Sequence, residues 1–134
     1  MIFLDTDFFI NLYVESNENH FRAKEICTMI ENESLIISNL TIMEVMTVLN
    51  VKLKQNPELL QKVHDDLNKV YNIVNDTIFH EKGFEILMKE LKENNTRLPL
   101  FDCVYMALMK ELGITEIVSF DKHFDNKNGI IRIH

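Results

Sequence analysis

The sequence predicts an α/β fold with a mainly parallel central sheet, and three observations carry that expectation. Short apolar runs, MIFL, SLIIS and EIVSF, have the length of buried strands and end at polar residues. Between them lie segments whose apolar residues recur at the period of a helix with one face on a core. The two kinds of segment alternate, and strands separated by helices join in parallel through crossovers. The chain has 134 residues, 46% of them apolar and 26% charged, which suits one compact domain with a sizeable core. Three Gly and two Pro leave little material for linkers, and no repeat or low-complexity stretch divides the chain. A single domain over residues 1–134 is expected.

Met1–Leu4 is the first expected strand, ending at Asp5, and a helix follows from an N-cap at Asp7 to about Glu15. Ala23, Ile26, Cys27 and Ile30 place a second helix over Glu18–Asn32, and Ser34–Ser38 forms the second strand. Ile42, Val45, Met46, Leu49 and Leu53 stripe a third helix from Thr41 to about Gln55. Met43, Val48 and Val51 widen that stripe, so the helix is either central or part of a subunit interface. Pro57 suits the first position of a fourth helix, whose stripe runs through Leu60, Val63, Leu67, Val70, Tyr71 and Val74. Asp76–Phe79 is a short third strand. Phe84, Leu87, Met88 and Leu91 mark a helix ending near Asn94–Asn95. Phe101, Val104, Tyr105, Leu108, Met109 and Leu112 mark another, with Gly113 as its C-cap. Glu116–Phe120 and, after an Asn128–Gly129 turn, Ile130–Ile133 complete the strands.

Charge and cysteine content narrow the function. With 14 basic and 21 acidic residues the formal charge is −7, which does not draw phosphodiester backbones at long range. An acidic site bridged to phosphate by a divalent metal stays open. Cys27 and Cys103 lack zinc-ligand spacing and are expected as reduced thiols of a cytoplasmic protein. Asp5 and Asp7 interrupt MIFLDTDFFINLYV, against both a signal peptide and a membrane span.

Four carboxylates stand alone in apolar surroundings: Asp5 after the first strand, Glu44 between Glu33 and Lys52, Asp102 between Arg97 and Lys110, and Asp121 after IVSF. Each has a local explanation. Glu44 completes a capping-box pattern with Thr41, Asp102 suits a first helical turn, Asp121 suits a turn and Asp5 suits a cap. Jointly they point elsewhere. Residues just past the carboxyl ends of parallel strands converge on one crevice, which takes in Asp5, Asp121 and, by its helix, Glu44. Spacing alone does not place Asp102. If all four meet, their mutual repulsion calls for a hard cation, and Mg²⁺ or Mn²⁺ matches an oxygen-rich donor set.

IFLDTDFFINL, SNLTIMEV, LPLFDCVYMALMKELG and IVSFDKHFD, in this order, resemble the four signature blocks of PIN-domain ribonucleases. The spacing most resembles the small VapC-type toxins of toxin–antitoxin pairs, and the blocks span Ile2 to Asp125. The resemblance implies a PIN-like three-layer sandwich, its central sheet flanked by helices. It implies a catalytic metal site of Asp5, Glu44, Asp102 and Asp121, with Thr6 and Ser119 supporting. It also implies an endoribonuclease that hydrolyses RNA phosphodiesters by metal-activated water, leaving 5′-phosphate and 3′-hydroxyl ends, with Mg²⁺ or Mn²⁺ as cofactor. A small antitoxin that lays a helix in an apolar groove, and a homodimer using the Ile42–Val51 helix, follow from the same likeness. His123 stands where many relatives carry another acid. It is weighed as peripheral, and His20, His64, His80 and His134 as ordinary surface or helix-end residues.

Lys122, inside the last block, is the first choice for a phosphate contact. Two other readings compete. One is a PIN fold kept for protein contact without catalysis; the other is a phosphohydrolase using Asp5 and Asp7 as a DxD pair, though Phe9 does not fit that motif.

Overall fold

The computed structural model describes residues 1–127 and 129–134. Among these residues five strands form one parallel sheet: β1 (Ile2–Leu4), β2 (Leu35–Ser38), β3 (Asn72–Val74), β4 (Glu116–Val118) and β5 (Ile131–Ile133), in the order β3-β2-β1-β4-β5. Among the described residues six α-helices flank it: α1 (Thr6–Tyr13), α2 (His20–Met29), α3 (Asn39–Lys52), α4 (Pro57–Lys69), α5 (His80–Asn94) and α6 (Leu100–Leu112). The chain fills one side of β1 with β2 and β3, then crosses to the other side for β4 and β5. That reversal opens a crevice at the carboxyl ends of β1 and β4.

Both faces of the sheet are covered, so its strands alternate between two cores rather than between core and water. Ile2 and Leu4 of β1, Ile37 of β2 and Val118 of β4 pack with Phe8, Phe9, Ile26, Val45, Leu49, Val63 and Leu67 from α1–α4. Phe3, Ile36 and Ile117, one step along the same strands, pack with Val104, Leu108 and Met109 of α6 and with Ile86 and Leu87 of α5. The result is the expected three-layer sandwich. Among the described residues no helix is long and apolar enough to cross a membrane, and both cysteines are free.

Several boundaries differ from expectation for physical reasons. Asp5, not Asp7, caps α1, with its Oδ1 accepting from the Thr6 N–H at 2.7 Å. Helix α3 starts earlier than Thr41, because Ser38 and Thr41 cap it reciprocally, which leaves Glu44 free of capping duty. Helix α4 stops at Lys69, and the third strand is Asn72–Val74 on β2; Asp76–Phe79 instead holds a 3₁₀ turn at Thr77–Phe79. The face of α5 is turned from the predicted stripe. Phe84 is 52% exposed, whereas Gly83 is buried against α6. A Cβ at Gly83 would lie 2.8 Å from the Val104 Cα, so glycine permits the close approach of the two helices. Gly113 ends α6 with φ 69°, as expected. Of the turn expected before β5, Gly129 has φ 80° and Asn128 lies outside the described residues.

Candidate metal centre

The ends of β1 and β4 bring the first two acids to the crevice. Asp5 follows Leu4 directly, and its N–H donates to the Val118 carbonyl at 3.1 Å. One residue past β4, the Ser119 hydroxyl donates to Asp5 Oδ2 at 2.7 Å and accepts from the Asp121 N–H at 3.0 Å. Asp121 caps the 3₁₀ turn Lys122–Phe124, its Oδ1 accepting from the His123 N–H at 2.9 Å.

The other two acids arrive on helices. Glu44 projects from α3, and its Oε1 accepts from the Tyr105 hydroxyl at 2.5 Å and the Thr6 hydroxyl at 3.2 Å. Asp102, which spacing alone does not place, lies in the first turn of α6 with Oδ2 2.8 Å from His123 Nδ1. Asp5, Glu44, Asp102 and Asp121 all line one open cleft of about 320 Å³. Thr6 lines it too, and Ser119 sits buried behind Asp5. Lys122 is exposed and does not line the cleft.

Four further residues belong to this arrangement. Asp7 lines the cleft and accepts from the Phe120 N–H at 3.0 and 3.1 Å, tying α1 to the exit of β4. In the sequence it passes for a cap. Tyr105 looks like one more core position of the α6 stripe, and only the fold aims its hydroxyl at Glu44. Arg132 of β5 grips Asp125 at 2.6 and 3.0 Å and donates to the Ser119 carbonyl at 3.1 Å, bracketing the loop that carries Asp121. His123, weighed as peripheral, contacts Asp102 at 2.8 Å and Asp121 at 3.0 Å.

Burial and crowding act together on these acids. Burial pushes Asp5 well above the usual carboxylate range, reinforced by Asp7 and Asp102 and opposed by the Ser119 hydrogen bond. Burial pushes Asp7 and Asp102 each up to about 6, with the Phe120 N–H and His123 respectively as the main opposing contacts. Glu44 is raised by burial, against its bonds to Tyr105 and Thr6. Among the described residues no Lys or Arg pairs with any acid of the cleft, and none lines it. Crowded carboxylates without a Lys or Arg partner fit a hard divalent ion, which removes the mutual repulsion and favours oxygen donors.

The family model and the solved structures agree on the fold. The family model described as the PIN domain matches residues 2–130. A search of curated proteins finds no match. Among solved structures, the chain resembles Mycobacterium tuberculosis VapC20, a sarcin–ricin loop cleaving toxin, with TM-score 0.75 and 20% identity over 91% of each chain. It also resembles VapBC2 of Rickettsia felis, solved with a DNA fragment from its promoter, at TM-score 0.72 and 15% identity over 99% of this chain and 98% of that one. DNA-bound VapBC of Salmonella typhimurium gives TM-score 0.71 and 17% identity over 98% and 96%.

Proposed function

The chain belongs to the PIN domain family, and from that premise we propose that it is a metal-dependent endoribonuclease, the toxin of a type II toxin–antitoxin pair. The observation that carries the proposal is that Asp5, Glu44, Asp102 and Asp121, from four separate blocks, line one cleft without a Lys or Arg, with Asp102 and Asp121 at ligand spacing from each other. These four side chains would hold Mg²⁺ or Mn²⁺. A divalent ion held there would supply Lewis acidity toward the scissile phosphate and lower the pKa of a bound water.

The chain's own groups supply the positioning. Ser119 holds one Asp5 oxygen and the Thr6 N–H holds the other, so this carboxylate cannot rotate away from the cleft. Thr6 and Tyr105 both bind Oε1 of Glu44, leaving Oε2 without a partner among the described residues. Lys122, exposed beside Asp121, is the proposed contact for an RNA phosphate. The Asp5–Asp7 phosphohydrolase reading gains nothing from the geometry, since both Asp7 oxygens face the Phe120 N–H.

Solved relatives that are toxin–antitoxin complexes support a small antitoxin as partner. Its helix would occupy an apolar groove, and its Arg or Lys would meet the carboxylates. We assign the exposed Met43 and Val51 of α3 to a homodimer contact.

The test is RNA cleavage by the amide variants Asp5→Asn, Glu44→Gln, Asp102→Asn and Asp121→Asn. Each should lose at least about 100-fold in rate while keeping its fold, a loss comparable to that on removing one preorganised electrostatic group. EDTA should silence the wild type, and Mn²⁺ or Mg²⁺ should restore it. Cleavage that survives exhaustive chelation, or three amide variants of wild-type activity, would overturn the proposal.

A further inference from the structure

Beside the cleft, against two of its acids, the donor chemistry changes from oxygen to nitrogen. His123 presents Nδ1 at 2.8 Å from Asp102 Oδ2 and 3.0 Å from Asp121 Oδ2, and the three residues offer ligand atoms all within 4.8 Å of one another. Around an octahedral ion with bonds of about 2.1 Å, adjacent ligand atoms stand about 3 Å apart. The imidazole nitrogen is therefore already at ligand spacing from both carboxylates.

Its position is built into the backbone. The His123 N–H binds Asp121 Oδ1, which leaves Asp121 Oδ2 facing the ring, and Phe124 anchors the turn in the core at 0% exposure. Asp102 is itself buried, so the ring lies over an acid that cannot swing to solvent.

Resting on the metal-dependent reading above, we propose that His123 Nδ1 is a ligand of the ion on the Asp102–Asp121 side of the cleft. By this ligand the centre selects Mn²⁺ over Mg²⁺. Mg²⁺ demands hard oxygen donors and dehydrates reluctantly, whereas an imidazole nitrogen is a softer donor that first-row transition ions accept more readily than Mg²⁺ does, Mn²⁺ the least strongly among them. A carboxylate at this position would supply oxygen and one more negative charge, favouring Mg²⁺. The competing role for the ring is a clamp between the two acids that is displaced when an ion enters.

Pulsed electron paramagnetic resonance of Mn²⁺ bound to the full chain separates the two, because a coordinated imidazole nitrogen modulates the echo. The wild type should show that modulation, and His123→Asn should lose it with Mn²⁺ still bound. In competition titrations the wild type should prefer Mn²⁺ to Mg²⁺, and His123→Asp should shrink that preference by about tenfold or more. Bound Mn²⁺ without nitrogen modulation in the wild type would overturn the ligand role alone. An unchanged preference in His123→Asp would overturn the selectivity. No Mn²⁺ binding at millimolar concentration would overturn the metal centre itself, and this inference with it. The wild-type spectrum decides the ligand question even if a variant folds poorly.

Discussion

Asp102 shows how the cleft trades stability against charge. Burial, the largest effect, lifts its pKa from the ordinary 3.8 to about 6, with the His123 contact opposing and Asp121 reinforcing. The folded state thus holds the proton longer than the unfolded one. The stability from that proton is complete below pH 4 and is lost as pH rises through about 6. Asp102→Asn never ionises. Without metal, the variant should therefore gain on the wild type by on the order of 2 kcal/mol between pH 4 and pH 8, read by urea unfolding in EDTA. A gap that stays constant with pH would show that burial of the charge is not what strains this position. Tyr105 makes a second prediction at this scale. Its ring packs on Phe3 with centroids 4.9 Å apart, so Tyr105→Phe keeps the packing and removes only the hydroxyl at 2.5 Å from Glu44. Stability should change by about 1 kcal/mol or less. Mn²⁺ affinity should fall several-fold, and cleavage should recover when Mn²⁺ is raised. A cleavage loss that no concentration of metal restores would contradict the positioning role.

Among the elements, the α5–α6 contact is the tightest constraint behind the site. A methyl group at Gly83 would meet Val104 Cγ2, Cα and N at 2.7, 2.8 and 2.9 Å, and two of those atoms are backbone. Gly83→Ala must push apart the helix that carries Asp102, at a cost of about 1–3 kcal/mol, seen as a lower urea midpoint with an unchanged slope. A midpoint equal to the wild type's would mean that the helices separate freely. This contact was hidden in the sequence, where Phe84, Leu87, Met88 and Leu91 make a plausible stripe and a lone glycine has no side chain to signal packing. The alternation of strands and helices was legible, because sheet strands covered on both faces leave unbroken apolar runs. Strand β3 was not: Val70, Tyr71 and Val74 continue the helical period of α4. Only pairing of Asn72–Val74 with Ile36–Ser38 makes a strand of three residues whose first two are exposed. Four acids of the cleft stood out by their isolation. Asp7 and Tyr105 did not, since a first-turn acid and a core aromatic are each complete local explanations.

For the whole molecule, the net charge of −7 conflicts with an RNA substrate unless the ion mediates the encounter. A protein that grips RNA through many Lys and Arg contacts releases counterions, and six to ten such contacts weaken binding by about 10³–10⁵-fold between 50 and 200 mM salt. This chain lines its cleft with carboxylates and leaves Lys122 outside it, so few phosphates can be neutralised by side chains. Added salt also screens the repulsion between acidic protein and RNA. At fixed saturating Mn²⁺ the KM for RNA should therefore rise by no more than about tenfold from 50 to 200 mM KCl, on the same counterion reasoning. A thousandfold rise in KM for the wild type would reveal a basic RNA-binding surface assembled elsewhere on the molecule or across a dimer. The ion would then serve chemistry alone and not the encounter.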